Sequence, residues 1–252
     1  MSISSYELVA RRYGDRFTVM TIEELKQDLP FIEEPVLQAR VLRRIGSLYQ
    51  QSDLVESESY TLRALAIAED TRDQNLIIEV LYVLICCYIL KYDYDEARIH
   101  IERGLALAKE VDYELMYIDI LHLKGRIHER QLEYRQALAI CQETLEYYEK
   151  KGFLNSKAIT LGQIALIKSE MNSYEEALEL YLNQFTLWQE LGVVEEMSKC
   201  YNNITHIYII IKDYDSALLF ARKSLELVPG RIEGLQHIAM VSINRNDTDT
   251  AL

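Results

Sequence analysis

Apolar residues along this chain come in bursts with helical spacing, separated by short polar stretches. Leu42, Ile45, Gly46 and Tyr49 form one such set; Leu81, Leu84 and Tyr88 form another, as do Leu161, Ile164 and Ala165, and Tyr201, Ile204 and Tyr208. Separations of three, four and seven place each set on one face of an α-helix. Between the bursts runs a second signature, Tyr-x-x-Ala. It occurs at Tyr94/Ala97, Tyr134/Ala137, Tyr174/Ala177 and Tyr214/Ala217, each pair 40 residues after the last. The pattern predicts first helices near 36–51, 74–91, 113–131, 154–171, 194–211 and 231–245, with second helices near 54–70, 94–110, 134–151, 174–191 and 214–228. Ahead of them, Thr21 and Glu24 have the spacing of a capping box that opens a short helix to about Leu29. Pro30 and Pro35 then punctuate the entry to the repeats.

The chemistry of the recurring pair follows from packing. Two antiparallel helices approach closely only where a side chain is small, and Ala supplies that contact at the crossing. A Tyr three residues earlier lies near the same face and is expected to fill the wedge against the next hairpin. One hairpin cannot bury its own apolar stripe, so each must cover the last. Around Ala217 the full frame reads Tyr201, Ile204, Tyr208 and Tyr214 upstream, then Ala221, Ser224, Leu225 and Pro229 downstream. This resembles the tetratricopeptide repeat, with a bulky residue, Leu-Gly and Tyr on a first helix, and Ala and Ala-Leu on a second, closed by Pro. The frame fits six times in register over residues 36–252.

The resemblance implies an all-α fold, a right-handed α-superhelix (solenoid) of stacked helix-turn-helix tetratricopeptide-like repeats. Residues 1–35 would be a lead-in with a short helix, and 36–252 an array of about five and a half repeats whose last repeat is truncated. The first repeat departs from the pattern, with Leu54 and Ser57 in place of Tyr and Ala. The interval is 40, except that Ala217 to Ala251 spans 34. Longer repeats of this sort are similar to arrays in bacterial regulatory and signalling proteins. Ala251 and Leu252 fall where a second helix of the sixth repeat would begin, so the chain reads as the N-terminal portion of a longer protein. Leu235, Ile238 and Val241, on a first helix with no partner, predict self-association through that end, as a dimer.

Composition narrows the function. Only 9 Gly and 3 Pro among 252 residues argue against a sandwich or barrel, which needs many tight turns. A formal charge of −13 repels nucleic acid and anionic membrane, which excludes both as first-choice partners. Cys86, Cys87, Cys141 and Cys200 lie in apolar helical stretches with no C-x-x-C spacing, as reduced core residues of a cytoplasmic protein would. The longest apolar run, Leu76 to Leu90, is too short to span a bilayer and is interrupted by Glu79. No phosphate-loop, dinucleotide, zinc-protease or serine-hydrolase motif occurs. His122 and His128 are six apart and do not share a helix face, so no metal or other cofactor is expected. The expectation is a non-enzyme.

Binding is what remains. In the resembling family the first helices line a concave groove, and the frame turns His122, Arg126, Arg130, Gln163, Lys199, Asn202, Asn203 and His206 inward. Arg40, Arg43, Arg44 and Glu79 are their counterparts in the first two repeats. Some family members grip a peptide's terminal carboxylate with basic and Asn residues from three consecutive first helices. The matching positions here are His122 and Arg126, Gln163, then Lys199 and Asn203, of which only Lys199 keeps the expected type. Carboxamides can pair with the backbone of an extended peptide, and guanidinium groups with its carboxylates. The expected function is a scaffold that binds a protein or peptide in this groove. The alternative is a sensory or oligomerisation part of a larger bacterial signalling enzyme, such as a diguanylate or nucleotide cyclase.

Overall fold

The computed structural model describes residues 12–244 together with Val9. Among the described residues it holds twelve α-helices, two 3-10 turns (Gly14–Thr18 and Leu29–Phe31) and no strand. The helices are α1 (Ile22–Asp28), α2 (Pro35–Tyr49), α3 (Leu54–Thr71), α4 (Gln74–Leu90), α5 (Tyr94–Glu110) and α6 (Glu114–Arg130). They continue with α7 (Tyr134–Lys151), α8 (Leu154–Glu170), α9 (Tyr174–Leu191), α10 (Val194–Ile210), α11 (Tyr214–Leu227) and α12 (Ile232–Asn244). The chain divides into two compact units, 1–127 and 128–252, with the boundary inside α6. Ala251 and Leu252, where a further helix was expected to begin, lie outside the described residues, as does the polar stretch Arg245 to Asp247.

Loop geometry sets the rhythm. From Arg72 to Lys212 a residue with positive φ stands at every twentieth position: Arg72, Tyr92, Asp112, Leu132, Gly152, Asn172, Gly192 and Lys212. Each ends a helix in the left-handed conformation and lets the next amide reach back to an orphan carbonyl. Asp93 N–H donates to the Tyr88 carbonyl at 2.9 Å, Glu133 to His128 at 2.8 Å and Ser173 to Lys168 at 2.9 Å. The following helix is opened by a side-chain cap at Asp53, Asp73, Asp93 and Asp213, whose carboxylates accept from amides of the first turn. Thr21 and Glu24 make both hydrogen bonds of the capping box that opens α1.

The Tyr-x-x-Ala pairs occupy the start of each second helix. Ala97, Ala137, Ala177 and Ala217 are completely buried, and the Tyr at each first helical position is half-buried. Tyr134 packs among Ala137, Cys141, Ile164 and Ile167, and Tyr174 among Ala177, Tyr181, Ile204 and Ile207. Each ring therefore reaches the first helix of the next hairpin. Ser57 replaces Ala in the first repeat without leaving a buried hydroxyl unpaired, because its Oγ donates to the Gly46 carbonyl at 2.8 Å.

In the first unit α4 is apolar on all sides and lies at the centre of the core, flanked by residues of α2, α3, α5 and α6. The lead-in packs separately on α2, through Met20, Leu25 and Ile32 against Leu37, Val41 and Ile45. The second unit is built from three smaller clusters, of which those around Ala177 and Trp188 both join α8, α9 and α10. Cys87, Cys141 and Cys200 are buried, Cys86 is half-buried, and all four are free thiols. Burial pushes Cys141 and Cys200 up to about 12, which leaves them as inert packing groups. Among the described residues no helix is long and apolar enough to cross a membrane.

Candidate functional site

The inward-facing positions differ sharply in exposure. In the first unit Arg40 is buried and binds Glu79 at 3.0 Å, with Arg43 3.7 Å from the same carboxylate. Arg44 donates to the carbonyl of Thr18 at 2.7 Å, so the lead-in takes up its charge. These arginines are engaged inside the fold and do not form an open basic surface. His122 is also buried, at 9% exposure, and its pKa falls to about 4 through burial, assisted by the Arg126 guanidinium. Arg126 is half-buried near Tyr82 and Cys86. Half-buried His128, also on α6, bonds Glu133 through Nδ1 at 2.5 Å.

In the second unit the positions converge. A cleft of about 270 Å³ opens between three first helices. From α8 it receives Leu166, Ser169 and Glu170; from α10, Asn202, Asn203 and His206; from α12, Glu233, Gln236 and His237. Tyr181 of α9 closes the floor. Helical spacing explains the α10 contribution, because residues 202, 203 and 206 are separated by one turn or less. Asn202 is only 6% exposed, and its Oδ1 has no hydrogen-bond partner. The rings of His206 and His237 stack with centroids 6.3 Å apart. Burial, then His206, lowers the pKa of His237, and its Nδ1 is a further buried atom without a partner.

The remaining expected site residues lie elsewhere. Gln163 is 8% exposed on α8, with both amide atoms unpartnered, and does not line the cleft. Lys199 is exposed and paired to Glu196 at 2.5 Å. Arg130 is exposed beside Glu129 at 3.8 Å. At the end of the chain one expectation needs correction. Val241 is completely buried, because it lies seven residues after buried Gly234 on the face of α12 that packs on α10 and α11. It is closed to any partner in this fold. Ile238 is half-buried, and Leu235 is open at 51% exposure, on a helix that also exposes Ile232, Met240 and Ile243.

Sequence reasoning missed Glu170, Tyr181, Glu233, Gln236 and His237. A signal for the last three was present. The final interval of the repeat is 34, and stepping 34 residues from Lys199, Asn202 and Asn203 gives Glu233, Gln236 and His237.

Residues 156–229, which run from α8 to just beyond α11, match the tetratricopeptide repeat family. No curated protein matches the sequence significantly. Several solved structures share the fold. Aspartyl phosphate phosphatase F from Bacillus subtilis is 16% identical with a TM-score of 0.72, over 97% of this chain and 69% of that one. A Rap protein complexed with competence and sporulation factor is 14% identical with a TM-score of 0.69, over 99% and 76%. The signal transduction ATPase with a tetratricopeptide repeat sensor from Pyrococcus horikoshii is 16% identical at 0.67, over 96% and 38%. At such identities the likeness is one of fold. Residues 156–229 thus match the tetratricopeptide repeat family, and the buried Ala of each crossing and the fold of the chain agree with a tetratricopeptide-like solenoid.

Proposed function

We propose that the protein is a non-catalytic scaffold that binds an extended peptide segment of a partner, with the cleft between α8, α10 and α12 as its principal grip. The observation that carries this reading is Asn202, a carboxamide held nine-tenths buried at the cleft with its oxygen unpaired. An unmade hydrogen bond on a buried polar group costs about 1–3 kcal/mol. A folded protein tolerates that where a ligand supplies the missing group. An extended backbone presents N–H and C=O groups, and one carboxamide can pair with both kinds. Exposed Asn203 and His206 lie on the same helix face. The structurally similar Rap protein was solved with competence and sporulation factor bound, which supports a binding role for this kind of array. A second reading makes the chain the sensory part of a larger signalling protein. The likeness to the repeat sensor of the archaeal ATPase speaks for it, and it would use the same cleft.

The test is selection from a randomised peptide library on the purified protein. Enriched peptides should bind Asn202→Ala and Asn203→Ala about tenfold or more weakly, the equivalent of about 1.4 kcal/mol. Failure to enrich any sequence, or enriched peptides that ignore both substitutions, would overturn the reading.

A further inference from the structure

The cleft has a charge character that the protein's fold does not require. Glu170 closes α8 and Glu233 stands in the first turn of α12, and both carboxylates border the same space. No lysine or arginine lines it, and neither carboxylate pairs with a cation among the described residues. Nearby cations are engaged elsewhere: Lys199 binds Glu196, and Arg231 binds Glu195. The field of Glu170 reaches Tyr181 on the floor and helps burial to raise its pKa, while Glu233 acts on His237 one turn along α12. Asn202 lines the same cleft, and its buried Oδ1 is an acceptor without a donor.

A terminal carboxylate is the wrong guest for such a place. Its charge would meet two like charges with no lysine or arginine lining the cleft, and its oxygens would offer nothing to an acceptor. A cation meets both demands. Ammonium and guanidinium groups carry only donors, three and five respectively, and Glu170, Glu233 and Asn202 supply acceptors from three helices. We infer that the cleft is a subsite for a cationic side chain, lysine or arginine, of the bound peptide. The inference rests on the peptide-binding reading and adds to it the class of residue that is recognised. It also accounts for the shape of the site, since a long aliphatic stem can lie along Leu166 while its head reaches the carboxylates.

The experiment uses single blocked amino acids, so its result is separable from that of the library selection. N-acetyl methylamides of arginine, citrulline, lysine and norleucine are titrated into the full chain, and the side-chain resonances of Asn202, His206 and His237 are followed. The charged probes should perturb these resonances at about millimolar concentration and bind about tenfold more tightly than their neutral counterparts. Glu170→Gln and Glu233→Gln, both at exposed positions, should each weaken the charged probes several-fold while leaving the helical spectrum unchanged. Neutral probes that bind as well as charged ones would overturn the inference, as would charged-probe binding that both variants leave intact. Absence of any perturbation would also overturn it, even if the library yields peptides that bind elsewhere on the array.

Discussion

At the scale of single residues, the positions that shape this fold are the ones where the backbone turns left-handed. Gly152 and Gly192 adopt that conformation without penalty, but Leu132 holds a φ of 62° with its side chain 69% exposed. A branched side chain in this region clashes with its own backbone, and the exposed isobutyl group gains little from burial. Leu132→Gly should therefore stabilise the protein by about 0.5–1 kcal/mol, the relief of strain exceeding the added entropy of the unfolded chain. A urea midpoint that falls would contradict this account. Strain at Leu132 was not legible beforehand, because glycine is the usual sign of a left-handed residue and five of the eight such positions hold neither Gly nor Asn, one of the five being Asp. Asn202, Asn203 and His206, by contrast, were legible from the repeat frame. That frame reports which way a side chain points and not how deep it lies, which is why Arg40, His122 and Gln163 were expected on an open surface.

Among the elements, α6 carries a group that couples stability to acidity. His122 is buried on it with a pKa of about 4, against about 6.5 in an unfolded chain. Between those values the unfolded state binds the extra proton, so stability rises with pH across the window. The contribution is complete above about 6.5 and is lost as pH falls toward about 4, amounting to roughly 3 kcal/mol. Urea midpoints measured across that window should show the slope, and His122→Leu should flatten it. An unchanged slope in the variant would assign the acid sensitivity to other groups. Helix limits were legible to within two residues, for instance 74–91 expected against Gln74–Leu90, because four repeats of one frame average out local irregularity. The α12 contribution to the cleft was not, since that helix follows a 34-residue step while the rest of the chain steps by 40.

For the molecule as a whole, the excess of 40 acidic over 27 basic residues favours approach of a cationic segment and makes that approach weaken with salt. The twenty-residue beat of the loops bears on how such a chain can grow. A joint that recurs with identical geometry is a natural site for gene duplication, since a copied segment ends in the conformation in which it began. Two beats carry an inner and an outer helix together, so a second copy of residues 133–172 placed after Asn172 adds a complete layer and leaves every interface its proper partner. One beat does not. A second copy of 153–172 alone would close its loop equally well, yet it would set two inner helices in succession and turn all later groove residues, Asn202 among them, to the outer wall. The longer duplicate should melt cooperatively at or above the parent temperature, and the shorter one should lose its cooperative transition. If both behave alike in calorimetry, loop geometry alone governs the array and the alternation of faces does not.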